Sequence, residues 1–159
     1  MTKASNILSW AGAIFISAIF LDSLRFKFTG HPTPEHIFST LKDWSGIGLF
    51  FPAGPWIIGL GEALASLLLI LLPVFFLVKK NTVRAHQSQA LGALIAIGIM
   101  SGAIIFHLFT PLGIETPVEW AGNEPTKFSA ALFYSACVSW ALGLFIAFHR
   151  RDALKDLIK

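Results

Sequence analysis

The sequence predicts an all-α polytopic membrane protein, a four-transmembrane-helix bundle with a short interfacial amphipathic helix in its first loop. Composition points there first. Of 159 residues, 55% are hydrophobic and 13% charged, and the mean hydropathy is +0.69. A soluble domain carries about 25% charged residues. Four stretches stay apolar over the ~20 residues a helix needs to cross a hydrocarbon core. None alternates at period two, so helices rather than a barrel must satisfy the backbone in lipid.

The spans are expected at roughly 7–24, 56–78, 90–112 and 128–148, all in one membrane domain, 1–159. The first closes in Leu21-Asp22-Ser23-Leu24-Arg25 with no small-residue cleavage pattern, and reads as a retained helix rather than a signal. In the loop after it, Thr33-Pro34-Glu35 reads as a helix start: Thr as N-cap, Pro in the first helical position, an acid in the first turn. Ile37, Phe38, Leu41 and Trp44 then share one side of a short helix, expected to lie in the outer interface or fold back over the bundle. Gly46, Gly48, Pro52, Gly54 and Pro55 break the chain before the second span. In the third span, Gly98 and Gly102 have the small-xxx-small spacing of a helix-packing seam. The single cysteine, Cys137, excludes an internal disulfide and any multi-Cys metal site, and reads as a small buried hydrophobe.

Basic residues set the expected direction. Four spans put the N-terminus, the second loop and the C-terminus on one side. That side holds Lys3, Lys79, Lys80, Arg84, Arg150, Arg151, Lys155 and Lys159; the other holds Arg25, Lys27, Lys42 and Lys127. Both termini are therefore expected in the cytoplasm. The net charge of +3 needs no nucleic acid to explain it, because the cations gather at membrane edges.

Glu62 and His107 stand out because each lies inside an apolar span. An ionisable group at the bilayer centre costs about 2.5–3.5 kcal/mol on insertion scales and is usually paired and facing protein. At 1.5 Å per residue, Glu62 lies about 9 Å inside the start of its span, and His107 is similarly deep in the next. Asp22, Arg25 and Lys27 end the first span at the same level. Asp22 and Arg25 share one helical face, while Lys27 shares a stripe with Ser23. Each residue also has a plainer reading: Glu62 in a structural ion pair with Arg25 or Lys27, His107 bonded to a carbonyl near Pro111, Asp22 and Arg25 as an interfacial pair. His31, His36, His86 and His149 read as loop or interfacial residues. The co-location of Glu62, His107 and the end of the first helix makes them a candidate site. Glu62 and His107 are its candidate catalytic pair. Asp22, Arg25, Lys27 and Phe106 are its candidate ligand-binding residues, with Phe15, Phe20 and Phe26 as further walls.

These segments resemble the DoxX-like family of small bacterial four-helix membrane proteins. The resemblance rests on Phe20-Leu-Asp-Ser-Leu-Arg25-Phe-Lys27-Phe with His36-Ile-Phe38, on Gly61-Glu62-Ala-Leu-Ala-Ser-Leu-Leu-Leu-Ile70, and on Gly102-Ala-Ile-Ile-Phe-His107-Leu-Phe-Thr-Pro111-Leu-Gly113. It covers nearly the whole chain. It implies a bacterial inner membrane and a redox role, since the family takes its name from a membrane subunit associated with thiosulfate:quinone oxidoreductase and other members are linked to oxidative stress.

The leading expectation is a membrane subunit of a redox system that meets quinone in a polar pocket of the outer leaflet. His107 would donate to one ring oxygen, Glu62 would relay protons, and Lys27 or Arg25 would stabilise a developing anion. The chain has no haem ligand pair and no flavin or dinucleotide fingerprint, and no metal is expected. Electrons would come from a partner protein; lipid and further copies of the chain are the other expected partners. Two alternatives stand beside it. One is a non-catalytic accessory or assembly protein that docks a partner. The other is a small-solute or proton pathway, against which the stretch from Ala65 to Val78 offers one Ser and no charge.

Overall fold

The structure, a computed structural model, describes residues 2–155. Among the described residues, four helices are long and apolar enough to cross a membrane: Lys3–Phe28, Ala53–Val78, Thr82–Phe109 and Ala131–Lys155. They are α1 (Lys3–Phe28), α3 with α4 (Ala53–Ser66 and Leu72–Val78, joined by a π-helical turn), α5 (Thr82–Phe109) and α6 (Ala131–Lys155). The helix α2 (Pro32–Ser45) and a two-stranded antiparallel hairpin, β1 (Thr116–Ala121) with β2 (Glu124–Ser129), lie between them. Ile16, Phe20, Leu69, Ala96 and Ile146 are fully buried in the core. Lys159, counted above with the basic residues, lies outside the described residues.

Several boundaries differ from expectation, each for a local reason. The third span starts at Thr82 rather than residue 90, because the Asn81 side chain accepts from the Arg84 amide at 3.0 Å and caps the polar first turns. It ends at Phe109 rather than residue 112, two residues before Pro111. The fourth begins at Ala131 rather than residue 128, since Glu124–Ser129 is a strand. The hairpin turns through Gly122-Asn123, with Gly122 at φ +62°, the left-handed conformation a two-residue turn favours.

The loop helix also starts earlier than Thr33-Pro34 suggests. His31 is the N-cap, its Nδ1 accepting from the Thr33 amide at 3.2 Å, and Pro32 takes the first turn. Thr33 is thereby free to reach sideways. Its hydroxyl donates to the Pro117 carbonyl at 3.0 Å and accepts from the Trp120 indole at 2.9 Å, tying α2 to the hairpin. The buried face of α2 is Pro34, Phe38 and Leu41; Trp44, expected beside them, is exposed. Of the two arrangements expected, α2 folds back over the bundle.

The π-helical turn Leu67–Leu71 follows from Pro73. The Leu72 amide bonds five residues back to Leu67, and Pro73 has no amide to donate. The carbonyls of Leu68 and Leu69 therefore lose their helical donors. Ser88 donates to Leu68 O at 2.8 Å and Gln89 reaches Leu69 O at 3.5 Å. The Gln89 oxygen in turn accepts from Arg150 Nε at 3.0 Å, and Arg150 Nη2 donates to Asn6 at 2.7 Å. Arg150, grouped above with edge cations, is only 1% exposed and locks three spans at the end of the bundle that carries the termini.

Candidate functional site

The opposite end of the bundle, where α2 lies over it and the hairpin packs on α2, holds a cavity of about 510 Å³. Its wall is apolar apart from Ser23, Lys27, Glu62, His107 and Ser135. The cavity volume falls within the range of small-molecule sites, roughly 300–1,000 Å³.

Lys27 reaches it because α1 continues to Phe28 and keeps Lys27 one turn above Ser23 on the same stripe. The end of α1 can lie against α3 because position 59 has no side chain. A Cβ on Gly59 would sit 2.6 Å from a Phe28 ring carbon. Glu62 follows one turn further along α3 and is 3% exposed. Lys27 Nζ donates to Glu62 Oε1 at 3.0 Å, to Glu62 Oε2 at 2.9 Å and to Ser23 Oγ at 2.7 Å. Ser23 donates onward to Glu62 Oε2 at 2.6 Å. The buried carboxylate is thus neutralised by the one cation whose helical phase allows it.

His107 is 6% exposed in the last turn of α5. Past Pro111 the chain turns back through Gly113 at φ +70°, and the Gly113 carbonyl lies 2.6 Å from His107 Nδ1. A carbonyl can only accept, so Nδ1 carries the proton. Nε2 has no hydrogen bond to the described residues. In the neutral ring it is an acceptor, where a donor to a ligand oxygen was expected. The Phe133 ring meets the imidazole edge-on, with centroids 5.8 Å apart. No hydrogen bond joins His107 to Glu62 among the described residues; they meet only as parts of one wall.

Asp22 and Arg25 lie elsewhere. They pair at 3.0 Å with side chains 60% and 67% exposed, outside the cavity wall. Arg25 also sits over the Phe26 ring at 4.5 Å. Of the four expected phenylalanine walls, only Phe106 lines the cavity. Phe20 is fully buried in the core, Phe15 is exposed, and Phe26 packs edge-on against His31. Phe38 of α2 and Phe50 of the following connector replace them, Phe50 meeting Phe106 edge-on at 5.4 Å.

The glycine pair on α5 is the main reversal. Gly98 and Gly102 do not form a packing seam. Nothing lies within 4 Å of a Cβ on Gly98, only a Phe106 ring carbon reaches 4.0 Å at Gly102, and both residues line the cavity. Close approaches between α5 and its neighbours occur instead at Gly92, whose Cβ would lie 3.0 Å from the Ala65 carbonyl, and at Gly143, 3.0 Å from Ile97. Glycines that pack no neighbour leave space for something else.

No family model matches the chain, and neither a curated protein nor a solved structure matches it.

Proposed function

We propose that this chain is the membrane subunit of a redox system and that its cavity binds a bilayer-soluble ring of the quinone class. One observation carries the reading: a single apolar cavity has Lys27, Glu62 and His107 as the ionisable groups of its wall. An apolar ring needs such walls, and its two polar edges need partners at separate points. His107 serves one edge. The Ser23–Lys27–Glu62 cluster serves the other and gives protons a hydrogen-bonded path to Lys27, whose side chain is 13% exposed. The resemblance to DoxX-like proteins belongs to the same proposal, as does a bacterial inner membrane with both termini cytoplasmic and the cavity in the outer leaflet. The charge asymmetry supports that orientation. The proposed electron donor is a partner protein.

The test is calorimetric titration of the purified protein in mild detergent with a short-chain benzoquinone and with its quinol. Saturable binding of at least one of them is the expected result, with quinol binding weakened in His107→Phe at a retained melting temperature. If the wild type takes up neither quinone nor quinol, the quinone reading falls and the accessory-protein reading takes its place.

A further inference from the structure

Resting on the quinone-class reading, we infer that the cavity takes its ligand in the reduced, hydroxyl-bearing form in preference to the oxidised, carbonyl-bearing one. The inference comes from counting donors and acceptors. The Gly113 carbonyl holds the His107 proton on Nδ1 at 2.6 Å, so the neutral ring has only a lone pair left, at Nε2. The other polar end keeps both a donor and an acceptor. The Ser23 hydroxyl is spent on Glu62 Oε2. The two Glu62 oxygens and Ser23 Oγ lie together on one side of Lys27 Nζ, where two of its tetrahedrally directed N–H groups serve all three and the third is left for a ligand. Glu62 Oε1 accepts from Lys27 alone and keeps a lone pair.

The His107 end therefore asks for a donor, while the Lys27–Glu62 end takes either kind of partner. A hydroquinone supplies that donor to His107 Nε2, and its second oxygen can meet Glu62 Oε1 or Lys27 Nζ. A quinone carbonyl would set lone pair against lone pair at His107 and leave both groups unsatisfied in an apolar cavity, where an unpaired polar group is expensive. The geometry makes the site a discriminator between two redox states of one ring, with His107 as a specificity-determining residue.

The experiment compares three ligands on the wild-type protein, anaerobically in detergent: a short-chain benzoquinol, its quinone, and its dimethyl ether, which keeps the oxygens but has no O–H. The quinol should bind at least about tenfold more tightly than either of the others, the ratio one well-placed hydrogen bond supports. Equal affinities, or tighter quinone or ether, overturn this inference and leave the quinone-class reading standing. No binding of quinol or quinone removes that reading and the inference together. His107→Gln adds an internal control, because its amide can turn either a donor or an acceptor to the ligand. Its quinol and quinone affinities should fall within about threefold of each other. An undiminished quinol preference in a folded H107Q protein would contradict the role given to His107.

Discussion

Lys27 and Glu62, 35 residues apart in the chain, form a buried ion pair in which the ammonium lies 2.9 Å and 3.0 Å from the two carboxylate oxygens. Ser23 closes the triangle with contacts of 2.6 Å and 2.7 Å. The pair turns an apolar cavity into a site with a polar end, and it sets the energetics of any change there.

Removing one partner should cost far more than removing both. Lys27→Met leaves Glu62 charged and buried, a loss of about 3–5 kcal/mol in stability. The double variant Lys27→Met with Glu62→Leu should recover most of it, because two matched apolar side chains replace two desolvated ions. Thermal unfolding in detergent of the single and double variants reads the difference. A single variant as stable as wild type would show that the pair is solvated.

The two kinds of glycine on α5 should answer oppositely to substitution. Gly98→Leu places its side chain in open space, so the melting temperature should hold or rise while ligand binding is lost. Gly92→Ala puts a Cβ 2.9 Å from Leu68 Cβ and 3.0 Å from a backbone oxygen. Overpacking of that kind costs about 1–3 kcal/mol. Melting curves and titrations of the two variants side by side check both statements.

Thr33→Val should loosen the cover of the site without touching its wall. The variant loses the donor to Pro117 O and the acceptor for the Trp120 indole. It should destabilise the hairpin by about 1–3 kcal/mol. Faster amide exchange across 116–129, with exchange in α5 unchanged, is the expected signature.

Acid should loosen the same cover. Burial pushes the His36 imidazole below its usual value of 6.5, and its ring packs edge-on against Trp120. A depressed folded-state value means that the unfolded chain takes up the proton first. The stability His36 contributes is present above pH 6.5 and falls away as the pH drops from there through the folded value. Hairpin exchange rates should rise over that window in wild type and less in His36→Phe.

The proposed orientation is tested by reporter fusions. Fusions after Lys80 and after Lys155 should report the cytoplasm and one after Glu119 the opposite side. A periplasmic signal after Lys155 would reverse the assignment of the cavity to the outer leaflet.

Period and composition alone determined the four apolar helices, the amphipathic loop helix and the places of Glu62 and His107 along two of the spans, because helix length and rise are local properties of the chain. They left the partner of Glu62 between Arg25 and Lys27, which lie on different stripes of the first helix; the tertiary structure chose Lys27. The Gly122-Asn123 turn signal is equally present in the sequence, between the third and fourth expected spans; only the Phe128 end of the hairpin falls inside a span when hydropathy alone is weighed.

Tertiary structure decided the rest. Whether a small residue seals a helix interface or leaves a void depends on which helix faces it, and no local pattern distinguishes Gly92 from Gly98. The same holds for Arg150, which only the freed carbonyls above Pro73, through Gln89, draw away from the surface. It holds most of all for His107: a residue six places along the chain, folded back past a proline, fixes the position of its proton and with it what the cavity can accept.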